Sequence, residues 1–188
     1  MKRSEALRLL YPDVKDDIVV TIMGAVAVEL YSLGHRPNFF YLQHAMGLAS
    51  SMGLGLALAK PDHRVTVFDG DGSVLMNMGT FSTLAWVAPR NLTHVVFDNE
   101  SLLSVGGFPT ATSAGSDIAG IARSSGIRRS RMVRTLEELE TAWKESRSAN
   151  ELTTIVAKVE ASGPASFAMD IKMLENRFEF ERWLREVK

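Results

Sequence analysis

The chain has no cysteine among its 188 residues. Disulfide bridges and thiolate zinc sites are therefore excluded, and the composition fits a reducing cytoplasm. Charge of one sign is also missing: the formal net charge is −1, so the basic excess of a nucleic-acid footprint is absent. No apolar run is long enough to cross a membrane. The longest, Ala45 to Ala59, is too short to span a bilayer and rich in Gly, Ala and Ser; it reads as a buried helix packed closely on a sheet. The amino terminus starts with a basic pair, but Arg8 and Pro12 interrupt any signal-type core, leaving an amphipathic first helix. Internal repeats and low-complexity segments are lacking too. These absences together predict a soluble, cytoplasmic protein with no membrane or nucleic-acid partner.

What is present is a chain 46% apolar, enough to bury a proper core in one domain. Residues 1–188 are expected to form that single domain, with 165–188 a C-terminal helical tail behind the linker Ala161-Ser-Gly-Pro164. Strands and helices alternate in the hydrophobic pattern. Strands are predicted at Ile18–Ile22, Phe39–Leu42, Arg64–Phe68, Asn91–Phe97, Arg131–Val133 and Thr153–Val159. Helices are predicted at Ala25–Leu33, Met46–Ala59, Ser73–Val87, Asp117–Ser124, Thr135–Ser148 and Asp170–Glu186. Thr135 and Glu138 have the spacing of a capping box. Such alternation implies an α/β fold: three layers, a mostly parallel sheet with helices on both faces.

The chemistry concentrates in Phe68-Asp69-Gly70-Asp71-Gly72-Ser73 and in Asp98-Asn99, which close two successive strands. In a parallel sheet both ends fall on the carboxyl edge, where ligands bind. Gly70 and Gly72 allow a sharp turn and close approach of a ligand, and the amides of Gly72 and Ser73 would open a helix toward it. Mg²⁺ takes hard oxygen ligands, few from protein and several from phosphates and water. Asp71, the Asn99 amide oxygen and the Ser101 backbone carbonyl would supply three, leaving room for a diphosphate. An EF-hand loop from Asp69 would need Gly and Glu where Val74 and Thr80 stand. A dinucleotide fingerprint from Gly70 would need Gly at Leu75. A turn with a capping aspartate is the bland alternative for Gly-Asp-Gly alone.

The segments Gly70-Asp-Gly-Ser-Val-Leu-Met-Asn-Met-Gly79, His44-Ala-Met-Gly-Leu-Ala-Ser-Ser51 and Gly106-Gly-Phe-Pro-Thr110 resemble the thiamine-diphosphate enzymes. Within them the likeness is to the small subunit of sulfopyruvate decarboxylase and the matching half of phosphonopyruvate decarboxylase, over about Ile18 to Glu160. The resemblance implies the diphosphate-binding domain of a 2-oxo acid decarboxylase, with thiamine diphosphate and Mg²⁺ as cofactors. Asp71, Asn99 and Ser101 would hold the metal, and Gly70, Gly72 and Ser73 the diphosphate. Gly24 would lie in a phosphate-contacting loop. Met46 would keep the two cofactor rings bent, and the carbonyl of His44 would accept from the 4′-amino group. The family also needs a glutamate on the pyrimidine side. Glu29 and Glu100 do not suit that role, so a separate α subunit is expected to bring it, in an α₂β₂ or larger hetero-oligomer. The β subunits of oxoacid:ferredoxin oxidoreductases are similar in fold but carry iron–sulfur cysteines, which this chain lacks.

Departures from the family pattern bear on the substrate, a small 2-oxo acid. His44-Ala45-Met46 replaces Gly-Ser-Met, so the His44 ring either acts on the substrate or packs aside. Met23-Gly24-Ala25-Val26-Ala27 loses a hydroxyl contact to phosphate, and Glu100-Ser-Leu-Leu-Ser104 loses a polar aromatic. Both make the pocket less typical for a sulfonate. Another decarboxylase or carboligase (acyloin or acetolactate type), or a non-catalytic assembly partner, stays open. His35, His63 and His94 are expected to do nothing chemical. Gly106-Gly107 reads as a cofactor-proximal loop, and Arg128, Arg129, Arg131 and Arg134 as a solvated face.

Overall fold

Five runs rich in β-branched and aromatic residues, and the more polar Arg129–Val133, assemble into one parallel sheet in the computed structural model, which describes residues 1–187. They are β1 (Ile18–Thr21), β2 (Phe39–Tyr41), β3 (Val65–Gly70), β4 (Leu92–Asp98), β7 (Arg129–Val133) and β8 (Thr153–Lys158), in the order β2-β1-β3-β4-β8-β7. β1 and β4 are buried along their whole length, as a sheet covered on both faces requires. The helices α1 (Arg3–Val14), α2 (Ala25–Leu33) and α7 (Leu136–Ala149) pack together on one face. The other face holds α3 (Ala49–Ala59), α4 (Asp71–Met76), α5 (Thr80–Val87) and α6 (Ile118–Ser124). The expected three-layer fold is thus the one adopted. No described helix is long and apolar enough to cross a membrane.

α3 lies close on the sheet because Ala49, Gly53 and Ala57 recur at one-turn spacing on its buried side. At Gly53 a Cβ would run into Val67 Cγ2. The capping box at Thr135 and Glu138 is present at the start of α7. The last helix, α8 (Met173–Glu186), covers the edge strand β2. There the Asn176 side chain donates to Phe39 O at 2.7 Å and accepts the Tyr41 N–H at 3.0 Å. It satisfies edge groups that a further strand would otherwise bond.

Three expectations change. The predicted helix Ser73–Val87 is two helices, α4 and α5, broken at Asn77 (φ −149°, ψ 54°), whose side chain bonds a neighbouring loop instead. The helix expected from Met46 starts at Ala49, because Gly47 is left-handed (φ +83°) and gives its N–H to Ser73. The segment Ser104–Gly115 is more structured than its composition suggests. An antiparallel hairpin pairs β5 (Ser101–Leu102) with β6 (Phe108–Pro109), and single 3₁₀ turns follow each strand.

The chain order of the strands reverses between β1 and β3: β2 lies to one side of β1, and β3 and β4 to the other. A crevice at the carboxyl ends follows from that reversal.

Candidate active site

That crevice is a cavity of about 410 Å³, a size common for cofactor sites. Ile22, Met23 and Gly24 enter it after β1, Gly70 to Ser73 after β3, and Asn99 and Ser101 after β4. The β3–β4 register pairs Gly70 with Phe97, so Asp71 and Asn99 emerge side by side. Of the residues singled out by sequence, Gly24, Met46, Gly70, Asp71, Gly72, Ser73, Asn99 and Ser101 all line this cavity. His44 does not; it is exposed, two positions before Met46, with a left-handed backbone (φ +53°). At Gly24 (φ +82°) and at Gly70 an added Cβ would meet nothing within 4 Å, so the backbone there is bare to a ligand.

The Met46 loop is clamped from below by α4. Ser73 Oγ accepts the Gly47 N–H at 3.0 Å, and the Asn77 amide donates to Gly47 O at 3.0 Å. Two side chains of the Gly70–Gly79 motif therefore position the segment His44–Leu48.

Asp71 is only 4% exposed, and among the described residues no cation acts on it. Burial pushes its carboxyl above the ordinary aspartate range; the Asp98 charge pushes the same way, while the Thr110 hydroxyl, the Gly72 N–H and Thr112 pull down. Thr110 donates to Asp71 Oδ2 at 2.6 Å. Its neighbour acid is treated differently. Asp98 receives Lys158 Nζ at 2.9 Å, Thr112 Oγ1 at 2.8 Å and the Glu100 N–H at 3.1 Å. Lys158 also pairs with Glu100. Burial works against the Lys158 charge, but the bonds to Glu100 and Asp98 outweigh it and hold the ammonium above the usual lysine value. Asn99 Oδ1 accepts the Ser101 N–H at 3.1 Å, a turn that aims this segment at the cavity.

Among the described residues Asp71 is thus a buried acid without counter-charge, next to an amide oxygen and bare glycine backbone. An uncompensated buried carboxylate is costly unless a cation joins it. Among the described residues no group of three or more His, Cys, Asp or Glu could hold a metal. A cation here would draw few ligands from the protein and the rest from diphosphate and water, which is the habit of Mg²⁺. The donor set fits that ion and a diphosphate.

Among the described residues, no glutamate lines the cavity. Glu29 is held bidentately by Arg3, at 2.9 Å twice, and Glu100 by Lys158.

Sequence reading marked Asp98 only as the strand end beside Asn99 and Thr110 only as the end of the Gly106–Thr110 segment, and it missed Thr112 and Lys158. His94, set aside as inert, lies fully buried in β4 with Nε2 3.3 Å from Asp69 Oδ2, while Asp69 Oδ1 holds the Gly70 N–H at 2.9 Å. His35 meets Glu179 at 2.7 Å and the Tyr41 hydroxyl at 3.1 Å, tying α8 to the sheet. Arg128, Arg129 and Arg131 pair with the glutamates Glu151 and Glu145, away from the cavity.

Residues 23–157 match the family described as thiamine pyrophosphate enzyme, C-terminal TPP binding domain. The sulfopyruvate decarboxylase subunit beta of Methanocaldococcus jannaschii is 37% identical over 158 residues, covering 84% of this chain and 83% of that protein. The phosphonopyruvate decarboxylase of Streptomyces viridochromogenes is 42% identical over 135 residues, 72% of this chain but 34% of the longer relative. Among solved structures, benzoylformate decarboxylase from Polynucleobacter necessarius shares the fold with a TM-score of 0.71 and 22% identity, over 87% of this chain and 34% of that one.

Proposed function

The chain belongs to the thiamine pyrophosphate enzymes, and from that membership we propose that it is the diphosphate-binding subunit of a thiamine-diphosphate-dependent 2-oxo acid decarboxylase of the sulfopyruvate or phosphonopyruvate type. The observation that carries the reading is the meeting of Asp71, Asn99, Ser101 and the Gly70–Ser73 turn in one crevice at the sheet's reversal point.

When bound, the cofactor supplies the electron sink for loss of CO₂ from a 2-oxo acid. The chain's own residues do the holding. Asp71, Asn99 and the Ser101 carbonyl would ligate Mg²⁺, and the Gly72 and Ser73 amides would take phosphate oxygens. Gly24 leaves its backbone open to the same end of the ligand. Met46, clamped through Gly47, would support the rings. His44 does not line the cavity; a contact through its carbonyl rests on the family resemblance alone.

A proton-transferring glutamate has no source in this cavity, which supports a second, pyrimidine-binding chain that brings one. The rim agrees. Met46 and Leu103, which line the cavity, and Leu48, Met76, Val105 and Phe108 on the segments next to them are exposed, an apolar border of the kind that marks an interface. An α₂β₂ or larger assembly with shared sites follows.

The experiment is co-purification with a candidate large subunit, then CO₂ release from 3-sulfopyruvate, 3-phosphonopyruvate, pyruvate and benzoylformate with thiamine diphosphate and Mg²⁺. Activity is expected only from the two chains together. Full-rate turnover by this chain alone would overturn the partner, and no cofactor binding by the pair would overturn the function.

A further inference from the structure

Thr110 is buried and does not line the cavity, yet its hydroxyl makes the shortest bond to the acid that does. Donation to Asp71 Oδ2 at 2.6 Å leaves Oδ1 without a side-chain partner among the described residues. We infer that Thr110 is a positioning residue for the metal-binding carboxylate: it fixes Oδ2, stops rotation of the group, and leaves Oδ1 as the one oxygen presented to a divalent cation. This rests on the reading of Asp71 as a Mg²⁺ ligand.

The backbone shows how Thr110 is delivered. Ser101 pairs with Pro109 and Leu102 with Phe108, and the Thr110 N–H donates to Glu100 O at 3.1 Å. The hairpin that begins with one expected ligand, Ser101, thus ends at the threonine that orients another, Asp71. Leu102 seals the join: a Cβ at Gly72 would lie 2.5 Å from its Cδ2. Asp71 and the Asn99–Ser101 turn, which come from different strands, are cross-linked through one short hairpin.

The second acid of the edge is kept out of the way. Thr112, 2.8 Å from Thr110, donates to Asp98 Oδ1 at 2.8 Å, whereas it lies 3.4 Å from Asp71 Oδ2. Lys158 takes the other Asp98 oxygen. Asp98 is therefore paired within the protein, with a lysine it shares with Glu100, whereas Asp71 receives only uncharged donors among the described residues. A hydroxyl suits the tether, because it orients the carboxylate by one directional bond without cancelling its charge.

The test is calorimetric titration of Mg²⁺ into the co-purified complex at saturating thiamine diphosphate, for the natural protein, Thr110→Val and Thr110→Ser. Loss of such an outer-shell bond is expected to weaken Mg²⁺ about 10- to 100-fold in Thr110→Val, with Thr110→Ser within about threefold of the natural protein because it keeps the donor. Thr110→Ala serves if the valine variant does not fold. Thr110→Val binding Mg²⁺ as tightly as the natural protein overturns the inference alone. So does Thr110→Ser being as weak as Thr110→Val, since the hydroxyl is then not the acting group. If the natural complex itself takes no Mg²⁺, the metal reading of Asp71 falls and the inference with it.

Discussion

Asp71 is where composition and chemistry conflict most sharply. Its folded pKa is raised above the ordinary value of 3.8, so the folded chain without cofactor holds its proton more tightly than the unfolded chain does. Stability from this group is full below the ordinary value and is lost as pH rises through the raised one. Asp71→Asn is therefore expected to make the cofactor-free chain more stable than the natural one at neutral pH, with the difference vanishing in acid. Urea unfolding across pH reads this, and an unchanged gap at low pH would contradict it. The same variant should lose Mg²⁺ and decarboxylation in the complex. His44→Ala is the contrasting case. With its ring outside the cavity lining, kcat/KM is expected to stay within about threefold, well short of the roughly hundredfold that loss of a general acid costs.

Secondary-structure elements carry a second set of consequences. Gly53 lets α3 touch β3, so Gly53→Ala gains helix propensity of up to about 1 kcal/mol but forces a methyl against Val67. Overpacking of this kind typically costs about 1–3 kcal/mol, and a net loss in chemical denaturation is expected. At the β2 edge of the sheet, Asn176→Ala leaves Phe39 O and the Tyr41 N–H without their partner. Stripping a buried pair in this way costs about 1–3 kcal/mol, readable by the same method and by faster hydrogen exchange at Tyr41. The helix break at Asn77 shows why element boundaries were hard to read. Nothing in Ser73–Val87 is a strong breaker except Gly79; the break exists because Asn77 bonds a loop that is distant in sequence.

For the assembly, the exposed apolar rim makes the clearest prediction. Phe108→Asp places a charge on the β5–β6 hairpin, where Phe108 is 63% exposed. If the large subunit covers that rim, association should weaken by about 2 kcal/mol or more, as at an aromatic interface anchor. The melting temperature of the isolated chain should stay put. Quantitative pull-down together with thermal denaturation checks both halves, and undiminished association would move the interface elsewhere.

Local pattern was enough for the parallel α/β architecture and for the three segments that meet at the cavity, because buried strands, glycine turns and helix starts are written in neighbouring residues. Gly70, Asp71, Gly72, Ser73, Asn99 and Ser101 could be singled out that way, whereas Gly24 and Met46 came from the resemblance to the thiamine-diphosphate enzymes. The pairing of Asp98 with Lys158, the tether from Thr110 and the bracing of Asp69 by His94 could not. Each depends on which residues from distant parts of the chain are brought within about 3 Å of one another, and on which of two buried acids receives the cation. Distances of that kind are set by strand order and loop closure, which no local spacing encodes.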